Sequence, residues 1–291
     1  MPGCRPEQTG VGTAANLRGG LAGSAGGHSQ VAEFGLPTRS RQRLSKGHHD
    51  DCEPALTITC PDTYPDAFEI VVTDPGVYTP QHDSRLLVEA LHQTNLAPRR
   101  HVLDLCTGSG VVAVAAAQLG ALSVTAFDIC PLAVRCSRAN ADSAGVQVNV
   151  HVGSLADAQA RGPFNVVVSN PPYVPTGPQA NTEIIPSEAG PARAWNAGHD
   201  GRMVLDPLCA AAPDLLTDGG SMLVVHSEFA GVEQSLAALR TAGLDAEIVM
   251  WQLVPFGPVL TARAQWLESI GRLPRGRREE QLVVIRADKN R

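Results

Sequence analysis

Aromatic residues are scarce in this chain. Phe, Trp and Tyr make up 4% of its 291 residues, so the core has to be built from Val, Leu and Ala. Long apolar runs are missing as well. None approaches the ~18 residues that a membrane helix needs, and the N-terminus lacks the apolar segment of a signal peptide. There is no excess of positive charge, the net charge being −6. That argues mildly against an obligate duplex-DNA partner, which usually leaves a basic footprint, although a local basic patch can do the same job. The seven cysteines, Cys4, Cys52, Cys60, Cys106, Cys130, Cys136 and Cys209, contain no Cys-x-x-Cys pair and no regular spacing. They suggest neither a disulfide framework nor a zinc site, and no residue is assigned to a metal. A reducing, cytoplasmic setting suits this usage.

Composition divides the chain in two. Gly10–Gly27 is rich in Gly, Ala and Ser, and Arg39–His49 is basic with almost no apolar period. Such segments bury too little surface to offset their ordering entropy. Residues 1–65 are therefore expected to be a disordered extension, and residues 66–291 one domain. From there strands and helices alternate. A strand at Phe68–Val72 and a helix from Arg85 open the series. Strands follow at Val102–Leu105, Ser123–Asp128, Val146–Val152, Phe164–Ser169, Ser221–His226, Ala246–Met250 and Gln281–Arg286. Helices are predicted at Val111–Leu119, Pro131–Ser143, Met203–Leu216 and Gly231–Thr241. This alternation predicts an α/β fold, a mostly parallel sheet with helices on both faces. Residues 253–280, with Trp266 and Arg272, Arg275, Arg277 and Arg278, read as an insertion or hairpin between the last two strands.

Two stretches carry chemistry. In the first, Asp104 ends a strand and Cys106-Thr107-Gly108-Ser109-Gly110 turns into a helix. Glycines let the backbone approach a ligand, and the helix N-terminus offers unpaired N–H groups. Asp128 ends the next strand, where an acid can hold both ribose hydroxyls. There is no Walker lysine, and Asp104 would repel phosphate. S-adenosylmethionine carries no phosphate, and its ammonium and sulfonium groups suit an acid, so it is the expected cofactor. The second stretch is Asn170-Pro171-Pro172-Tyr173, an apolar strand stopped by two prolines that have no N–H for the ladder. The Asn170 side-chain carbonyl and the Pro171 backbone carbonyl can accept hydrogen bonds from a planar NH₂ group. That aims the nitrogen lone pair at a methyl group and stabilises the charge that develops. The Tyr173 ring can stack on the planar acceptor. No strong general base is needed, because the proton becomes acidic after transfer.

At these residues the chain resembles the class I methyltransferases with an Asn-Pro-Pro-Tyr motif. Within them it is similar to the HemK/PrmC release-factor glutamine methyltransferase family, in its short branch without the N-terminal helical domain. The likeness runs from about Val77 to Leu260. Val77-Tyr78-x-Pro80-x-x-Asp83-Ser84-x-x-Leu87 matches the branch's motif ahead of the glycine loop, and Ala194-Trp195-x-x-Gly198-x-x-Gly201 a segment downstream of the acceptor motif. The resemblance implies a Rossmann-like sheet of seven strands, the last antiparallel. It implies a cofactor site of Tyr78, Pro80, Asp83, Asp104, Cys106, Thr107, Gly108, Gly110, Asp128, Ile129, Ser154, Leu155 and Asn170. Asn170, Pro171 and Tyr173 are the implied catalytic residues, and Pro172 joins them in binding substrate. Cys106 stands where the family commonly has glycine, and Gly153-Ser154-Leu155 where it usually has an Asp-Leu pair that holds the adenine amino group.

The implied reaction is N-methylation of a protein glutamine, with a peptide chain release factor as substrate. The alternative is a nucleobase amino group in RNA or DNA, toward which the basic tail and the arginines at 272–278 lean. A cofactor-binding protein without catalysis is a third reading, prompted by Cys106 and Ser154. Eukaryotic members of the short branch use a small zinc-binding activator, and nothing in this sequence shows whether this chain needs one. Glu183 and Glu188 are candidates to contact substrate. His199 and Asp200 are candidates for the site wall, whereas His226 and Trp195 read as structural.

Overall fold

The computed structural model describes residues 72–74, 76–178, 180 and 183–291. The extension expected over residues 1–65, and all but Val72 of the strand expected at 68–72, lie outside these. A seven-stranded sheet in the order β3-β2-β1-β4-β5-β7-β6 organises the rest. Its strands are β1 (His101–Leu105), β2 (Ser123–Asp128), β3 (Asn149–Val152), β4 (Phe164–Ser169), β5 (Leu216–Ser227), β6 (Asp245–Pro255) and β7 (Glu279–Asp288). The helices are α1 (His82–Gln93), α2 (Val111–Gln118), α3 (Pro131–Ser143), α4 (Leu155–Gln159), α5 (Leu205–Leu215), α6 (Val232–Thr241) and α7 (Pro258–Ser269). The first five strands pair in parallel, and β7 runs antiparallel to both β5 and β6.

Residue type explains the layering. Central strands are covered on both faces, so they read as unbroken apolar runs rather than alternating ones. In β4, Val166, Val167 and Val168 are all buried. Helix α2 is apolar almost throughout and buries Val111–Ala116, while α1 buries Leu86, Leu87, Val88, Ala90 and Leu91. Crossovers between parallel strands are right-handed. The chain moves outward from β1 to β3, returns, and moves the other way from β4 to β5. Helices on the two legs therefore fall on opposite faces. In keeping with this, α1 touches α2 and α2 touches α3, while α4, α5 and α6 form their own contact series. The reversal point lies between β1 and β4, where ligands bind in open α/β sheets.

Some elements differ from the sequence expectation. Strand β3 is only Asn149–Val152, with Val146 and Val148 packing ahead of it. The short helix α4 was not anticipated. Neither was α7, which occupies the middle of the 253–280 segment. That segment's first three residues extend β6, and its last two begin β7. Among the described residues no helix is long and apolar enough to cross a membrane.

Candidate active site

Two cavities meet at the carboxyl ends of β1 and β4. The first has a volume of about 310 Å³ and is lined by Tyr78, Pro80, Asp104, Cys106, Thr107, Gly108, Asp128, Ile129, Ser154, Leu155 and Asn170, among others. All but two of the residues assigned to the cofactor from sequence stand on its wall. The exceptions are Gly110 and Asp83. Gly110 lies behind the loop with φ 86°, and a Cβ there would come within 2.3 Å of Ser137 Oγ. Asp83 faces the second cavity.

The loop after β1 is held by two acids. Asp104 is buried and accepts a hydrogen bond of 2.6 Å from Thr107 Oγ1. Burial pushes its carboxyl up to about 7 against that hydrogen bond. Asp128 accepts from Gly108 N at 3.0 Å and Cys130 N at 2.8 Å. Burial raises it too, opposed by those two N–H groups and by Arg193. Cys106 adopts φ 64°, the left-handed region that costs a side-chain-bearing residue roughly 1–2 kcal/mol. So the position behaves as a glycine position, and the chain accommodates a thiol there. Burial, then Asp128 and Asp104, push that thiol up to about 12, so it stays protonated. Ser154 caps α4, and its Oγ donates to Asp157 Oδ2 at 2.7 Å. With its proton committed, its oxygen presents lone pairs only, which suits an incoming amino group.

The cradle fits S-adenosylmethionine. A fully buried carboxyl that no cation pairs among the described residues suits an ammonium, and Asp128 keeps lone pairs for ribose hydroxyls. Arg193 is a wall residue that sequence reasoning missed. Its Nη2 donates to Gly76 O at 3.0 Å and contacts Cys130 Sγ at 3.1 Å on the wall of the first cavity.

The second cavity, about 250 Å³, shares Tyr78, Asn170 and Ala194 with the first. Its other walls include Asp83, Pro171, Tyr173, Trp195, Val254–Leu260, Glu280 and Leu282. Pro172, grouped with these by sequence, faces the first cavity instead. Asp83 is the hub of the near wall. Tyr78 OH and Tyr173 OH each donate to its Oδ2 at 3.0 Å. Burial, and next Asp83, raise both phenols well above their ordinary value. Tyr173 thus has its ring on the cavity and its hydroxyl anchored. Asn170 Nδ2 donates to Ser84 Oγ at 3.3 Å. This ties down the nitrogen of the amide and leaves Oδ1 as the atom offered to a donor. Glu280, unnoticed in the sequence, is buried and lines the same cavity. Burial raises it to about 7, Ser227 opposes this, Asp83 and Glu228 add to it, and Arg277 opposes it.

The loop that follows β4 is bolted to α7 by Arg263, which is fully buried. Its guanidinium donates to Glu183, to Pro175 O at 2.7 Å and to Asn196 Oδ1 at 2.5 Å, and lies 4.8 Å from the Trp195 ring centroid. Glu183 therefore anchors the loop and is not held out to substrate. Glu188 falls in a short 3₁₀ turn, Ser187–Ala189. His199 packs edge-on against Trp266 at 5.7 Å, and Asp200 accepts from Arg202 N at 3.1 Å. His226 is buried, and burial drops its imidazole to about 4, so it is neutral and structural. Of the arginines at 272–278, Arg277 pairs with Glu228 and Arg278 with Glu268.

Comparison with known proteins gives three kinds of match. A family model for ribosomal protein L11 methyltransferase (PrmA) matches residues 59–171. A protein of Methanocaldococcus jannaschii assigned as a protein N5-glutamine methyltransferase is 31% identical over 190 residues, which are 65% of this chain and 92% of the relative. A release factor glutamine methyltransferase of Deinococcus radiodurans is 36% identical over 201 residues, 68% of either chain. Among solved structures, a methyltransferase from Pyrococcus furiosus superposes with a TM-score of 0.50 at 16% identity, over 76% of this chain and 89% of that one. That likeness bears on the fold alone.

Proposed function

The chain belongs to the protein N5-glutamine methyltransferase family, and from that premise we propose that it methylates the side-chain amide nitrogen of a protein glutamine, a release factor being the substrate. The observation that carries this reading is the position of Asn170. It stands in the wall common to both cavities, with its Nδ2 tied to Ser84 and its Oδ1 offered.

Bound S-adenosylmethionine supplies a sulfonium-activated methyl group. Asp104 meets the ammonium, Asp128 the ribose hydroxyls, and Ser154 accepts from the adenine amino group. On the other side, Asn170 Oδ1 and the Pro171 carbonyl accept the amide N–H groups of glutamine. They would hold the nitrogen lone pair toward the methyl and stabilise positive charge there as the new N–C bond forms and the methyl's bond to sulfur breaks, leaving S-adenosylhomocysteine. The nitrogen then gives up its proton to water, since an alkylated amide nitrogen with four bonds is strongly acidic. His226 is not required as a base. The Tyr173 ring flanks the planar amide.

A nucleobase acceptor finds less support, because two of the four arginines at 272–278, Arg277 and Arg278, are paired with intramolecular acids. Incubation with methyl-labelled cofactor and either release factor or total RNA tests the reading. Label in release factor, lost when the target glutamine is changed to alanine, is expected. Label in RNA alone overturns it. Using the chain purified by itself, then with a small activator subunit added, shows whether a second subunit is required.

A further inference from the structure

Two side-chain atoms buried at the second cavity have no hydrogen-bond partner among the described residues: Trp195 Nε1 and Glu280 Oε2. Glu280 is the more telling. It is 8% exposed, is the second residue of β7, and lines the cavity within electrostatic reach of Asp83, Tyr78 and Tyr173. A buried carboxyl oxygen without a partner carries a desolvation cost that a ligand can remove. Ser227 hydrogen-bonds the carboxyl, and the surroundings explain why no further group among the described residues serves Oε2. The Tyr78 and Tyr173 hydroxyls are both committed to Asp83. Arg277, the cation that acts on it, is paired with Glu228. The groups facing it are Asp83 and His82 from α1, Tyr78 ahead of that helix, Tyr173 beyond β4, Ser227 and Glu228 at the end of β5, and Arg277 ahead of β7. Burial first, then Asp83 and Glu228, favour the protonated carboxyl up to about pH 7, against the Ser227 hydrogen bond and Arg277.

A primary carboxamide presents two N–H donors and one oxygen. Asn170 and Pro171 serve its nitrogen. Its oxygen needs a donor, and the phenols are committed. The buried side-chain groups on this cavity with an unpartnered atom among the described residues are the Trp195 Nε1–H and the Glu280 carboxyl, of which only the carboxyl can be switched by pH. We infer that Glu280 donates its carboxyl proton to the oxygen of the acceptor carboxamide, and so distinguishes a glutamine amide from an amino group that lacks this oxygen. The inference rests on the glutamine reading above. A hydrogen bond to the oxygen draws the nitrogen lone pair toward the carbonyl and does not speed attack. Its contribution is to recognition, and it belongs in KM rather than kcat.

The test uses the full chain, saturating S-adenosylmethionine and a Gly-Gly-Gln peptide, with KM and kcat followed across neutral pH for wild type, Glu280→Gln and Glu280→Ala. The wild-type KM is expected to rise as pH climbs through about 7 and the proton is lost. Glu280→Gln keeps an N–H donor that does not titrate, so its KM stays flat. Glu280→Ala raises KM about tenfold on the acid side and converges on wild type on the alkaline side. Ratios to wild type cancel the titration of Asp104, which all three share. Calorimetry with S-adenosylhomocysteine reports whether the first cavity is intact. Glu280→Gln that follows the wild-type pH dependence, or Glu280→Ala with a wild-type KM throughout, overturns the inference alone. Loss of S-adenosylhomocysteine binding in Glu280→Gln does so too, since it makes the residue structural. A wild-type chain that methylates no glutamine peptide overturns the premise and the inference together.

Discussion

The two cavities beside Asn170 are built in opposite ways. The donor side takes most of its wall from one sweep of the chain, Asp104 to Leu155, in which each strand end hands on to the next loop. The acceptor side is gathered from Tyr78–Asp83, Asn170–Val174, Trp195, Val254–Leu260 and Glu280–Leu282. One is local and made of backbone turns and acids. The other is remote and made of side chains that only the finished sheet brings together. Their energetics should differ accordingly. Damage to the donor side should appear in cofactor affinity with the fold intact. Damage to the acceptor side should reach turnover and stability.

The sharpest way to test that division is Asn170→Ala, since Asn170 belongs to both sides. Turnover is expected to fall by roughly a hundredfold to a thousandfold, about 3–4 kcal/mol of transition-state stabilisation. Affinity for S-adenosylhomocysteine by calorimetry should stay within a few-fold. Equal loss of both would erase the distinction. Of comparable size is Arg263→Ala, which leaves Glu183 and Asn196 without their shared donor. Removing one partner of a buried ion pair costs about 3–5 kcal/mol, and Glu183 is itself mostly buried. The loss should be seen in denaturant unfolding, with a raised peptide KM. A variant as stable as wild type would show that the loop holds without its bolt.

On the donor side, Asp104→Asn should weaken the cofactor by about 2 kcal/mol, roughly thirtyfold, as expected for a hydrogen bond to a charged group. The same carboxyl gives that cavity its pH dependence. Its value near 7 means that acidification protonates it and removes the partner of the ammonium, so affinity for S-adenosylmethionine falls as pH drops below about 7. A pH-independent dissociation constant would mean that Asp104 does not touch the ammonium. The smallest effect is expected from Cys106→Gly. Relief of the left-handed backbone, about 1 kcal/mol, is offset in part by the lost thiol contacts. The unfolding midpoint should move up slightly or not at all, and a marked drop would show that the thiol fills space the cofactor side needs.

The same contrast explains what could be read from sequence. Asp104, Gly108, Gly110 and Asp128 are separated by turns and one short helix, so their spacing alone announces a shared site. Asn170 and Tyr173 were legible because two prolines force the strand to end there. Glu280 and Phe256 carry no such spacing. They meet Asn170 only because β7 runs antiparallel between β5 and β6, and no local pattern encodes that neighbour relation. Helix α7 does have a signal, Gly257 followed by Pro258 at the first helical turn, but the segment's apolar period is weak beside its four arginines. Helix α4, five residues long, is too short for a period to show. Asp83 illustrates the remaining limit. The motif around it was visible, yet its side chain turns from the cofactor to two phenols, a choice made by packing.

The tip of the β6–β7 pair has a consequence for how such a protein can diversify. Val254–Leu260, Glu280 and Leu282 all come from one continuous terminal hairpin and its helix, and none of them borders the donor cavity. Part of the surface around the acceptor therefore sits on a piece of chain that the donor cavity does not use, although Tyr78, Asn170 and Ala194 border both. Substitutions in that hairpin would alter the acceptor cavity without touching the donor wall, which makes this corner of the fold the place to graft a new acceptor preference.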